Sequence, residues 1–97
     1  MWTIFKYPLE ITDEQLIPLP MDARVLSVGL SGGRPCLWAL VDSALPPAPW
    51  RIHIYGTGQP VDHAQHEFIG TVVDDRRGLV WHVFVVPEGQ GQDREVS

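Results

Sequence analysis

Nine prolines and nine glycines are scattered through this chain of 97 residues. No stretch between them reaches the ~11–12 residues of an average helix, and a proline inside a helix costs ~3 kcal/mol. Between these breaks the apolar residues alternate with period two or run continuously, and the 3.6-residue helical period is almost absent. Short strands joined by turns are what such a chain can build.

The expected strands begin with Trp2–Tyr7, stopped by Pro8, and a short extended piece at Gln15–Leu19. Thr12-Asp-Glu-Gln15 has the form of a helix cap, but Pro18 leaves no length for a helix. Arg24–Ser31 and Pro35–Asp42 read as a hairpin around Ser31-Gly-Gly-Arg34, a turn needing φ > 0. The return strand is apolar on both faces, which predicts a central strand covered on both sides. Ser43–Pro49 reads as a proline-rich crossover too poor in N–H donors to pair inside a sheet.

Trp50–Tyr55, Glu67–Val73 and Leu79–Val86 supply the remaining strands, with a charged turn at Asp74-Asp-Arg-Arg-Gly78. The expected fold is all-β, a single antiparallel β-sandwich or small open barrel of about seven short strands. It occupies residues 1–86, and residues 87–97, with little to bury, are expected to form a disordered tail.

Charge narrows the partners. Seven basic against twelve acidic residues give a net charge of −5. That disfavours a nucleic acid polymer, whose binding rests on cationic contacts to phosphate, and an anionic membrane surface alike. A single cysteine, Cys36, excludes an internal disulfide and a cysteine-based zinc site. Its apolar surroundings predict a buried, inert thiol. With no apolar run near ~20 residues and no signal-peptide pattern at the start, a cytoplasmic protein is expected.

Few residues suggest chemistry. His63 and His66 lie on a polar loop whose spacing fixes no ligand geometry, so no metal is expected, and no cofactor. His82 reads as a core or edge histidine satisfied by a backbone carbonyl. Arg51, His53 and Tyr55 form the one polar stripe, opposite Trp50, Ile52 and Ile54. Gly56, Thr57 and Gly58 follow it in a turn whose N–H groups could form an anion-binding nest. An arginine beside such a nest suits a phosphate or carboxylate, so these six residues are the candidate ligand site. Gly-x-Ser-x-Gly is absent, and the paired carboxylates Asp13-Glu14 and Asp74-Asp75 point to opposite faces of extended chain. A non-enzyme is expected. Of Trp2, Trp38, Trp50 and Trp81, a small sandwich can rarely enclose all, so Trp2 or Trp50 is expected at an interface, and the open edges favour a homo-oligomer.

The blocks Phe5-Lys-Tyr-Pro-Leu-Glu-Ile-Thr-Asp-Glu-Gln15, Pro35-Cys-Leu-Trp-Ala-Leu-Val-Asp42, Ile54-Tyr-Gly-Thr-Gly-Gln-Pro60, Ile69-Gly-Thr71 and Leu79-Val-Trp-His-Val-Phe84 resemble a family of small, functionally unassigned proteins of tailed bacteriophages and prophages. The resemblance implies a phage accessory protein made in the host bacterial cytoplasm, and transfers no activity. Small size, acidity and the lack of a catalytic constellation add to it the expectation of a protein that counters a host process, an antiviral defence above all, by binding. Its partner is either a host defence protein or a small anionic nucleotide signal held by an oligomer. The alternative is a structural or morphogenesis component of the phage particle.

Overall fold

The computed structural model of the chain describes residues 1–61 and 67–87. Among them are seven strands and no helix: β1 (Trp2–Pro8), β2 (Glu14–Pro20), β3 (Arg24–Ser31), β4 (Arg34–Asp42), β5 (Pro47–Gly56), β6 (Glu67–Asp74) and β7 (Leu79–Pro87). They form two antiparallel sheets, β1-β4-β3 and β2-β5-β7-β6. The sheets pack face to face as a sandwich and do not close into a barrel. The polar loop with His63 and His66, and the tail beyond Pro87, lie outside the described residues. Pro87 itself belongs to β7, opposite Trp50, not to the tail.

Strand alternation builds the core. Leu37, Ala39 and Val41 of β4 face Ile52 and Ile54 of β5 and Trp81, Val83 and Val85 of β7, with Leu9, Leu19 and Val72 filling the margins. Burying a Leu, Ile or Val side chain is worth ~1.5–3 kcal/mol, so this cluster is the main source of stability. Gly32 (φ 60°) and Gly33 (φ 76°) make the β3–β4 turn, as the two central positions of a type I′ turn require. The turn after β6 holds Gly78 at φ 67°, and buried Asp74 accepts the Arg77 N–H at 3.3 Å across it.

The linker from one sheet to the other is fixed by a side chain that imitates a strand. Gln15 Nε2 donates to the Glu10 carbonyl (2.7 Å) while Gln15 Oε1 accepts from the Glu10 N–H (3.0 Å). Thr12 Oγ1 donates to the Glu14 carbonyl at 2.9 Å, and β2 starts at Glu14 with no helical turn.

Two further expectations require correction. The proline-rich segment Ser43–Pro49 is not wholly a crossover, because Pro47 and Pro49 enter β5 and stand opposite Pro20 and Pro18 of β2. Proline pairs fit only positions where neither residue donates across the ladder. Their spacing of two in both strands places all four there and leaves Leu19 and Ala48 to exchange the bonds between them. The second concerns β4. It is central in its sheet, as expected, but among the described residues no second layer covers its other face, where Trp38 and Leu40 are half-buried.

Along one flank the sheets approach closely through β3 and β6. Both strands are bulged there, between Val25 and Ser27 and between Phe68 and Gly70. On the opposite flank β1 packs chiefly on β4.

Candidate functional site

The Arg51, His53 and Tyr55 stripe lies on the outer face of the second sheet, opposite the core, as the alternation predicts. It is not an open polar surface. His53 and Tyr55 are only 8% and 7% exposed. Their rings are nearly parallel with centroids 6.2 Å apart, and Tyr55 meets the Phe84 ring edge-on at 5.6 Å. Phe84 in turn leans on Phe68 at 5.3 Å, so the stripe continues as an aromatic cluster across β5, β7 and β6. The Arg51 guanidinium is joined to the Glu14 carboxylate of β2.

The turn after β5 is equally committed. Gln59 donates its N–H to the Gly56 carbonyl (3.1 Å) and Gly58 has φ 89°, the geometry of a type II turn. The Gly56 N–H, expected to serve an anion, donates instead to Gln59 Oε1 at 2.9 Å. Thr57 Oγ1 bonds His82 Nε2 at 2.8 Å, and Thr71 Oγ1 bonds His82 Nδ1 at 2.9 Å. His82 is thus held between two threonine hydroxyls, not by the backbone carbonyl expected for it. At ~3.3 Å per residue, Arg51 and Gly56 stand ~17 Å apart along β5, too far to share one phosphate. The hollow beneath the turn, about 300 Å³ and lined by Asp13, Gly56, Gln59 and Trp81 among others, has a carboxylate and, among the described residues, no Lys or Arg in its lining.

The outer face of the first sheet is built from other residues. Trp2 and Ile4 of β1 lie beside Trp38 and Leu40 of β4, with Arg24, Ser27 and Gly29 of β3 beyond them. Trp2 is 49% and Ile4 56% exposed. The Trp38 ring lies over Gly29, where a Cβ would sit 3.5 Å from the indole. Trp2, Leu40, Arg24 and Asp22 surround a shallow hollow of about 290 Å³. Lys6 reaches across the same face and donates to Ser31 Oγ at 2.9 Å. At its margin the chain's amino group lies 3.5 Å from the Asp42 carboxylate.

The expectation for Trp2 and Trp50 therefore divides. Trp2 is exposed on this apolar face, whereas Trp50 is half-buried and packs against the core. Sequence reasoning missed Ile4, Trp38, Leu40 and Arg24. For Trp38 and Leu40 the signal is the apolar second face of Pro35–Asp42, which predicts a covered surface where the structure has an open one. Cys36 on that face is buried at 2% exposure, its Sγ 3.5 Å from the Arg34 carbonyl, as its apolar context predicts.

Fold and faces together define a small two-sheet β-sandwich: the outer face of one sheet carries an aromatic cluster with Leu16, Phe68 and Val73 about half exposed at its margins, and the outer face of the other exposes Trp2 and Ile4. The chain belongs to a family described as a domain of unknown function, DUF7352, which matches residues 1–94. No curated protein and no solved structure matches it.

Proposed function

We propose that this chain is a non-enzymatic accessory protein of a bacteriophage that counters a host antiviral process by docking on a host protein through the outer face of its β1-β4-β3 sheet. The observation that carries this reading is the exposure of Trp2 beside Ile4 and the Trp2–Leu40 hollow. Exposed tryptophans rimmed by polar groups are the usual anchors of protein interfaces. Arg24, Lys6 and Asp42 supply such a rim. The net charge of −5 suits a partner with a basic surface, as proteins that handle nucleic acid have. The phage origin rests on the sequence resemblance alone.

Capture of a small anionic nucleotide by Arg51, His53, Tyr55 and the Gly56–Gly58 turn is the weaker reading. Arg51, Gly56 and Thr57 are engaged by Glu14, Gln59 and His82 respectively, and His53 and Tyr55 are packed.

A photo-cross-linking side chain introduced at Leu40 should capture the host partner in a lysate of the host. The same group at Leu16, 53% exposed on the opposite outer face, should not. Capture from Leu16 and none from Leu40 would overturn the assignment of the face.

A further inference from the structure

We infer that the free edge of β1 pairs with β1 of a second copy of this chain, joining two three-stranded sheets into one continuous sheet across a two-fold axis at Ile4. A sandwich of two open sheets has four edge strands, and exposed edges invite pairing unless something blocks them. Three of the four are blocked here. Pro18 and Pro20 remove donors from β2. The other two, β3 and β6, are bulged and pack against each other. Among the described residues only β1 is unprotected. It runs in unbroken register with β4 from Trp2 to Pro8, has no proline before Pro8, and bears one charged side chain, Lys6. Its amino end is held by the contact to Asp42, so the edge is presented as a formed strand.

The side chains of β1 match this role. Ile4 on one face and Phe5 on the other are 56% and 45% exposed, so both faces of the strand leave apolar surface in water. A neighbouring strand covers both at once, whereas a partner on the outer face alone leaves Phe5 uncovered.

The register follows from the hydrogen bonds. The Leu9 N–H donates to the Pro35 carbonyl at 2.9 Å, so alternation turns the backbone groups of Tyr7, Phe5 and Thr3 toward β4. Those of Lys6, Ile4 and Trp2 then point outward. An antiparallel pair centred on Ile4 uses all three on both copies, for about six inter-chain bonds. It sets Ile4 against Ile4, Trp2 against Lys6 and Thr3 against Phe5, with no like charges opposed. The isologous contact closes on itself, so the product is a dimer and not a filament. It leaves the Trp2–Leu40 hollow of each copy on the outer face, and it does not depend on the docking reading.

Sedimentation equilibrium of the full chain, carried into the high micromolar range, should give twice the chain mass of 10.9 kDa. Ile4→Pro removes only an outward N–H and should yield a folded monomer, verified by a circular dichroism spectrum like that of the wild type. Ile4→Cys provides a second, milder variant. Paired across the axis its Cα atoms lie ~5.5 Å apart, within disulfide range, so mild oxidation should give a covalent dimer. Cys36, 2% exposed, does not compete. Lys6→Cys, which faces Trp2 of the other copy, should stay monomeric on the same non-reducing gel. A wild-type monomer at every concentration overturns the inference, and so does cross-linking through Lys6→Cys but not Ile4→Cys.

Discussion

Gly70 of β6 faces Val28 of β3 so closely that a Cβ on the glycine would stand 3.1 Å from the valine Cγ2. This contact sets how near the two sheets come along the β3–β6 flank. Gly70 is not in the left-handed region, so the restriction is steric and not conformational.

Gly70→Ala meets two opposed effects. Restricting the unfolded chain favours the variant by ~0.4–1 kcal/mol, while forcing a methyl against Val28 costs ~1–3 kcal/mol. The expected result is a net loss of about 1 kcal/mol in urea unfolding, and a larger loss for Gly70→Val. Adding Val28→Ala should relieve the Gly70→Ala clash, visible as a coupling of ~0.5 kcal/mol or more in a double-mutant cycle.

The Thr57–His82–Thr71 chain joins the turn after β5 to β7 and β6 through one imidazole. His82→Ala removes both bonds at the surface, where water replaces part of each. A loss of ~0.5–1.5 kcal/mol is expected. Amide exchange at Thr57 and Gly58 should accelerate more than exchange in β4, which the chain does not touch.

Burial pushes the Tyr7 phenol up from its ordinary value of 10.0. The folded chain then holds the phenolic proton more tightly than the unfolded chain. Stability from this source is full below pH 10 and is lost as pH rises through and above it. Urea midpoints measured from about pH 9 to about pH 11 should fall, and Tyr7→Phe should flatten the part of that slope due to Tyr7.

Arg51→Ala should leave partner binding intact. The Arg51–Glu14 pair is partly exposed, so its removal costs only ~0–1 kcal/mol of stability. If the stripe instead held an anionic nucleotide, titration calorimetry would show affinity falling ~10–100-fold, from a lost bond worth ~1.5–3 kcal/mol.

Much of the fold is legible in the residues themselves. Ser31-Gly-Gly-Arg34 states its own turn, and the alternation of Trp50–Tyr55 correctly places Arg51, His53 and Tyr55 on one face. Burial of that face is not legible, because Phe84 and Phe68 reach it from strands distant in sequence. The same holds for Pro47 and Pro49. Proline argues against a strand until Pro18 and Pro20 are known to stand opposite, which is a fact of register and not of composition. For Cys36–Asp42 the pattern shows two apolar faces and does not say which is covered. The open one is where the proposed function now rests.

Binding through Trp2 and its neighbours can be read by native mass spectrometry of tagged protein recovered gently from host lysate. A stoichiometric host protein is expected on the wild type and on Arg51→Ala, and is lost in Trp2→Ala, where truncating an anchor costs ~2 kcal/mol or more. A small anionic mass that departs on activation from the wild type, and is missing from Arg51→Ala, would contradict binding through Trp2.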